Sequence, residues 1–246
     1  MAKKNTDKVV FHQIKVLDAG AKGVSVAKAP DGKVVFISNV VPGDVVDVQT
    51  FKKRKAYYEG KAVKFHELSE HRVDPICEHF GVCGGCKWQN MKYSQQLFFK
   101  HNEVKNHLQR IGKIELPDFE PILGSEKQFF YRNKMEFSFS NSRWLTEAEI
   151  GSSEELDNKN ALGFHIPKMW DKILDINKCH LQEDPSNAIR NEVREFANAN
   201  GLTFFNPRAH EGLLRTLMLR TASTGEIMVL IQFFEKIVDL AILRNY

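Results

Sequence analysis

Apolar residues fall in short strand-length runs through residues 9–66, alternating loosely with polar ones over 9–17 and well over Val46, Val48 and Thr50, and turn signals separate the runs at short intervals. The pattern predicts strands over residues 9–17, 23–29, 33–40, 45–58 and 61–68. The turns between them carry Gly20-Ala-Lys-Gly23, Pro30-Asp31-Gly32, Pro42-Gly43-Asp44 and Glu59-Gly60. Five short strands joined by tight turns predict a small closed β-barrel of the oligonucleotide-binding type, a domain over residues 1–68.

The period changes after residue 92. Leu97, Val104, Leu108 and Ile111 recur by threes and fours, which predicts a helix capped by Ser94, running to Arg110 and ended by Gly112. Its apolar face is expected to remain an exposed patch of the kind that packs on another domain. The clearest strand covers 129–140, with Met135, Phe137 and Phe139 on one side and Lys134, Glu136 and Ser138 on the other. Residues 140–160 are polar and charged, as in a hairpin excursion or loop. Strands follow at 161–165 and 172–176. A helix then starts at Asp184-Pro185, buries Ile189, Val193 and Phe196, and stops at Gly201. Residues 213–221 and 226–235 form a hairpin across Ser223-Thr224-Gly225. The fold class is α+β: the barrel, then a central domain over 69–246 built on a mostly antiparallel sheet.

Composition adds partners to this outline. The 246 residues are 42% hydrophobic and include 18 Phe, ample for a core. The longest apolar stretch, residues 227–234, is strand-length and contains a Gln, so no membrane span is expected. The basic N-terminus lacks the apolar run of a secretory signal, so the expected location is cytoplasmic, where thiols stay reduced. The net charge of +4 is uneven: residues 1–66 hold 13 Lys/Arg against 6 Asp/Glu, and the remainder holds 22 against 25. A basic module of this kind favours polyanions, because each phosphate contact releases a condensed counterion. Its most cationic point is Lys52, Lys53, Arg54 and Lys55, followed by Tyr57-Tyr58, a mixture suited to phosphates and stacked bases. RNA is the expected partner; a merely solvated hairpin is the competing reading. Arg132 and Lys134, on one face by the period of two, are further candidates for phosphate or base contact, against a solvated strand edge.

The chemistry-bearing motif is the run Cys77-Glu-His-Phe-Gly-Val-Cys83-Gly-Gly-Cys86, with Cys179 far downstream as the fourth and last cysteine. Three close thiols on a glycine-rich loop plus a distant one suit a [4Fe–4S] cluster with one Cys per iron. Zinc remains a rival, with His79 and His180 as substitute ligands, although structural zinc sites usually come as two short pairs. Buried, unligated thiols would explain Cys179 alone but not the triple. No Gly-x-Gly-x-x-Gly, phosphate-binding loop or Gly-x-Ser-x-Gly motif is present.

Four stretches carry a resemblance to a known family: Cys77-Glu-His-Phe-Gly-Val-Cys-Gly-Gly-Cys-Lys-Trp-Gln89, Tyr131-Arg-Asn-Lys-Met-Glu-Phe-Ser-Phe139, Leu162-Gly-Phe-His165 with Asp175-Ile-Asn-Lys-Cys179, and Leu213-Leu-Arg-Thr-Leu-Met-Leu-Arg220. With these the chain resembles the bacterial RNA uracil-C5 methyltransferases, S-adenosylmethionine-dependent enzymes of rRNA and tRNA. The resemblance implies that the barrel is a TRAM domain and that Cys77, Cys83, Cys86 and Cys179 hold a [4Fe–4S] cluster. It also implies a later Rossmann-like domain carrying the donor site, the nucleophilic cysteine and the base. That domain is missing from these 246 residues, and no fifth cysteine is available as nucleophile. The expectation is a monomeric RNA-binding part of such an enzyme, inactive alone, with no catalytic or donor-binding residue of its own. A non-enzymatic RNA-binding protein with a structural zinc or Fe–S site is the alternative.

Overall fold

The computed structural model describes residues 9–145, 149–150 and 158–234. Residues 146–148 and 151–157 of the polar excursion expected over 140–160, the end of the last predicted strand and the chain's final residues lie outside the described residues. The described residues form two compact units. One comprises residues 9–76 and 86–126, the other residues 77–85 and the described part of 127–234. Among the described residues no helix is long and apolar enough to cross a membrane.

The first unit contains a closed barrel of strands β1 (Val10–Ala19), β2 (Val24–Lys28), β3 (Val34–Ser38), β4 (Val45–Lys53) and β5 (Tyr57–Glu67). The order around the barrel is β1-β2-β3-β5-β4, with β4 returning to β1. All its pairs are antiparallel except β3 with β5. The alternation read from the sequence is the inside–outside alternation of the barrel: Val16, Ala27, Val35, Ile37, Val46 and Val48 fill its interior. Asp44, wholly buried, accepts two hydrogen bonds at 2.8 Å from the Arg72 guanidinium and one each from the Val41 and Ser69 amides. Four donors on one carboxylate satisfy a charge that would otherwise be costly to bury, and they tie the segment after β5 to the barrel.

Three details differ from the sequence reading. The fourth strand does not run through to residue 58; the chain turns at Arg54, whose amide donates to the Tyr57 carbonyl at 2.8 Å. Glu59 and Gly60 lie inside β5. Gly60 is there because a Cβ would sit 2.5 Å from Val48 Cγ1 and 2.9 Å from the Gln49 carbonyl oxygen; the glycine permits close strand approach, not a turn. Tyr58 is a core residue, edge-on to Phe11, its hydroxyl donating to Asp31 at 2.8 Å, so it is not open to a base.

Helix α1 spans Tyr93–Asn106 and continues into one π-type turn over His107–Ile111. It begins one residue before Ser94, so Ser94 is not the cap; Lys92 occupies the cap position, without a side-chain cap bond. Only Phe99 of this helix is buried, against Ala19, Val41 and Met91. Of the predicted face, Val104 and Ile111 are exposed and Leu97 and Leu108 half-buried; Phe98, on another side of the helix, is also exposed.

The second unit is a five-stranded antiparallel sheet in the order β10-β9-β6-β7-β8. Its strands are β6 (Lys134–Ser140), β7 (Ala161–His165), β8 (Ile173–Asp175), β9 (Leu214–Thr221) and β10 (Ile227–Phe233). Met135, Phe137 and Phe139 point into the core with Leu162, Leu217 and Leu219, as the alternation predicts. Helix α2 (Ser186–Ala199) follows Asp184, whose carboxylate accepts the Asn187 amide at 3.1 Å. Its buried face is not the predicted Ile189, Val193 and Phe196, which are half-exposed, but Ser186, Asn187, Arg190 and Ala197. An arginine fully satisfied by hydrogen bonds can occupy the interior, which apolar periodicity does not detect.

Candidate nucleic-acid interface and cysteine loop

The basic run forms the β4–β5 hairpin tip. Lys53, Arg54 and Lys55 are exposed, while Lys52 is half-buried and paired with Glu59 across the hairpin. Tyr57 stands at the base of the tip, edge-on to Phe36 at 5.4 Å. The tip therefore projects three side chains able to meet phosphates.

In the second unit Arg132 precedes β6 rather than lying within it, since its backbone amide is bound to the Leu181 carbonyl at 2.8 Å. Lys134 begins the strand and pairs with Glu136 at 2.9 Å. It sits opposite Arg220 of β9, on the sheet face away from Met135 and Phe137. Arg132 and Lys134 are both exposed.

The loop over 77–85 folds as successive turns. The Phe80 amide donates to the Cys77 carbonyl at 3.0 Å, and the Cys83 amide to the His79 carbonyl at 2.9 Å. The Gly85 amide points at Cys83 Sγ, 3.4 Å away, a geometry that favours a thiolate. A Cβ on Gly84 would lie 2.8 Å from the His165 carbonyl, so only glycine lets the loop approach β7 this closely. Cys83 and Cys179 pack against the same apolar cluster of Ile166, Leu174 and Ile176.

The Cys179 segment is held from α2. Asn187 accepts the Cys179 amide at 2.8 Å and donates to its carbonyl at 3.2 Å. Arg190 lies beneath, donating to the Ile176 carbonyl at 3.0 Å, Asn187 Oδ1 at 3.0 Å and the Asn177 carbonyl at 2.6 Å. Its guanidinium also covers the Phe137 ring at 5.1 Å. Burial lowers its pKa to about 10, which still leaves it charged at neutral pH. Asn187 and Arg190 are not among the candidates that spacing and charge pick out; their signal is two hydrogen-bonding residues three apart on the helix following the cysteine.

His79 Nε2 receives the Asn177 amide at 3.2 Å. Burial lowers the His79 pKa, so the ring is largely neutral near pH 7 and its contact with Glu78 is not an ion pair. His180 stands against Phe130 at 5.9 Å. The four cysteines are half-buried and outside any disulfide. As donors they suit a thiolate-held centre. Cys77, Cys83 and Cys179 belong to one compact unit and Cys86 to the other. Among the described residues, no group of three or more His, Cys, Asp or Glu is gathered to hold a metal ion.

Comparison with known proteins adds what geometry does not. No family model matches the chain. It is 55% identical over 211 residues to a Bacteroides thetaiotaomicron protein named as an uncharacterized RNA methyltransferase, covering 86% of this chain and 46% of that protein. The chain is similar to RNA methyltransferases over most of its length. Proteins of the same name from Porphyromonas gingivalis and Chlorobaculum tepidum are 44% and 40% identical, over 90% and 87% of this chain and 48% and 45% of their own lengths. Its fold is shared with the Pyrococcus abyssi tRNA (uracil-54, C5)-methyltransferase solved with S-adenosyl-L-homocysteine. That match has a TM-score of 0.59 and 24% identity, and covers 90% of this chain and 46% of the other. The chain thus spans about half the length of the curated relatives it matches.

Proposed function

We propose that this chain is the RNA-recognition part of an S-adenosylmethionine-dependent RNA (uracil-C5) methyltransferase acting on rRNA or tRNA. The observation that carries the reading is the similarity to RNA methyltransferases across 211 residues. The closed barrel with its cationic tip supports it, and we take the barrel as an oligonucleotide-binding, TRAM-like module. Lys53, Arg54 and Lys55, with Lys52 held back by Glu59, contact phosphates; Arg132 and Lys134 supply further contacts from the second unit. Such contacts fix the register of an RNA and carry little sequence information.

In this reading Cys77, Cys83, Cys86 and Cys179 hold a [4Fe–4S] cluster, which supplies a cross-link between distant parts of the chain. The donor set, its spacing and the Gly85 amide aimed at Cys83 support that assignment. With all four cysteines so used, none remains to attack a uracil ring. The chain by itself therefore binds RNA and transfers no methyl group, and none of its residues is assigned to the methyl donor.

Filter binding of a structured RNA across a salt series tests the proposal. Wild-type affinity should fall steeply with salt, and replacing Lys53, Arg54 and Lys55 by Ala should reduce the log–log slope by roughly 2–3. An unchanged slope removes the tip from the interface. Iron and sulfide analysis, with absorbance near ~400 nm, tests the cluster; a colourless protein with one zinc would replace it.

A further inference from the structure

The connection between β7 and β8 presents a tryptophan to solvent in a way the fold does not require. Ile166 and Asp171 are buried, but residues 167–170 between them are exposed. The Met169 amide closes the turn on the Ile166 carbonyl at 3.0 Å. Pro167 takes the second position, and Lys168 the third with φ of 68°. That position of such a turn usually belongs to Gly or Asn, so a lysine there marks a constrained connection. Beyond it stands Trp170, 62% exposed, whereas tryptophans are highly buried on average.

Over the indole lies the Arg208 guanidinium, its Cζ 5.9 Å from the ring centroid. Arg208 is not free to swing. Its Nε donates to Asp171 Oδ2 at 2.7 Å, and its own amide is held by Asn206 Oδ1 at 3.0 Å. The hydrogen bond from Arg208 keeps the Asp171 carboxyl below its ordinary pKa, so the anchor is ionised at neutral pH. A buried carboxylate thus orients an exposed cation against an exposed indole. Arg208 retains further N–H donors beyond those engaged by Asp171.

We propose that Trp170 is a stacking platform for one unpaired nucleobase of a bound RNA, with Arg208 meeting the adjoining phosphate or base edge. This rests on the RNA-recognition reading above. An indole that stays 62% exposed with a fixed guanidinium over one face suits stacking of a planar base on the rest of the ring, and the cation suits the strand's charge. A base held in a duplex offers no such face, so the site selects single-stranded segments, loops or extruded nucleotides.

The test is binding of a fluorescein-labelled 12-nucleotide single-stranded RNA, and of its duplex, to the full chain and to Trp170→Ala, Trp170→Phe and Arg208→Ala. Circular dichroism confirms that each variant is folded. Trp170→Ala should weaken single-strand binding about tenfold, with the salt slope unchanged and duplex binding little affected. Trp170→Phe should retain most of the affinity. RNA should quench tryptophan emission in the wild type and markedly less in Trp170→Phe, which keeps Trp88 and Trp144. Equal single-strand affinity for Trp170→Ala with undiminished quenching in Trp170→Phe would overturn the platform while leaving RNA recognition intact, and would point to a protein partner for this loop. No RNA binding by the wild type would overturn both.

Discussion

Replacing Arg190 by methionine is expected to harm the protein more than replacing it by lysine. The guanidinium makes three hydrogen bonds of 3.0 Å or less to the Ile176 and Asn177 carbonyls and Asn187 Oδ1, and its residue is wholly buried. At roughly 1.5 kcal/mol each, these bonds contribute about 4–5 kcal/mol. Burial opposes them and lowers the pKa from 12.5 to about 10, yet the group stays charged at neutral pH. Arg190→Met should cost about 4–5 kcal/mol, since it removes the donor and leaves all three buried acceptors without these bonds. Lysine keeps the buried charge but presents a compact ammonium that reaches one of the three acceptors. Its cost should be about 3 kcal/mol. Urea unfolding followed by tryptophan fluorescence at neutral pH measures all three proteins. Hydrogen exchange should show faster opening at residues 176–190 in both variants, because Asn187 loses one of its supports while it holds Cys179. Arg190→Met as stable as wild type, or more stable than Arg190→Lys, would show that the buried acceptors need no donor there, and the hydrogen-bond argument would fail.

Other outcomes follow from single contacts. Gly60→Ala should lower the barrel's stability by roughly 1–3 kcal/mol, because the new methyl meets Val48 at 2.5 Å and the backbone of Gln49; thermal melting reads it. Gly84→Ala should push the cysteine loop off the His165 carbonyl, seen as faster reaction of Cys83 with a thiol reagent. Asp47 has its pKa lowered from 3.8 to about 2, first by the Gln13 amide and then by His66 and His12. Because the folded value is the lower, its stabilisation is present above about pH 4 and lost as pH falls towards about 2. The thermal midpoint of Asp47→Asn should therefore change less between pH 5 and pH 2.5 than that of the wild type.

The barrel and the core face of β6 were legible because one-sided burial writes itself as a period of two. The alternation of Met135, Phe137 and Phe139 is such a case. Gly60 was misread because a glycine that makes a turn and one that admits a neighbouring strand look alike in sequence. Arg190 was missed because its burial rests on acceptors supplied by residues 176, 177 and 187, none of which changes the apolar pattern of α2. Tyr58 looked available for stacking beside its basic neighbours, but its strand turns it inward onto Phe11 and Asp31. In the cysteine site, the donor chemistry could be read from spacing. The scaffold around Cys179 could not, because Asn187 and Arg190 reach it only through the fold.

The circular order of the barrel has a consequence for how the chain reaches it. The β4–β5 hairpin and the β1–β2–β3 meander are local and can form early. Closure cannot: it needs the β1–β4 seam, where Val9 and Thr50 bond across 41 residues, and the parallel β3–β5 pair, which no hairpin can supply. Loop entropy must be spent before those contacts return anything, which places closure late and makes it slow. Until then the edges of β3 and β1 stand unpaired, so this module is most open to wrong strand partners during synthesis, before its cationic tip has any rigid base to stand on.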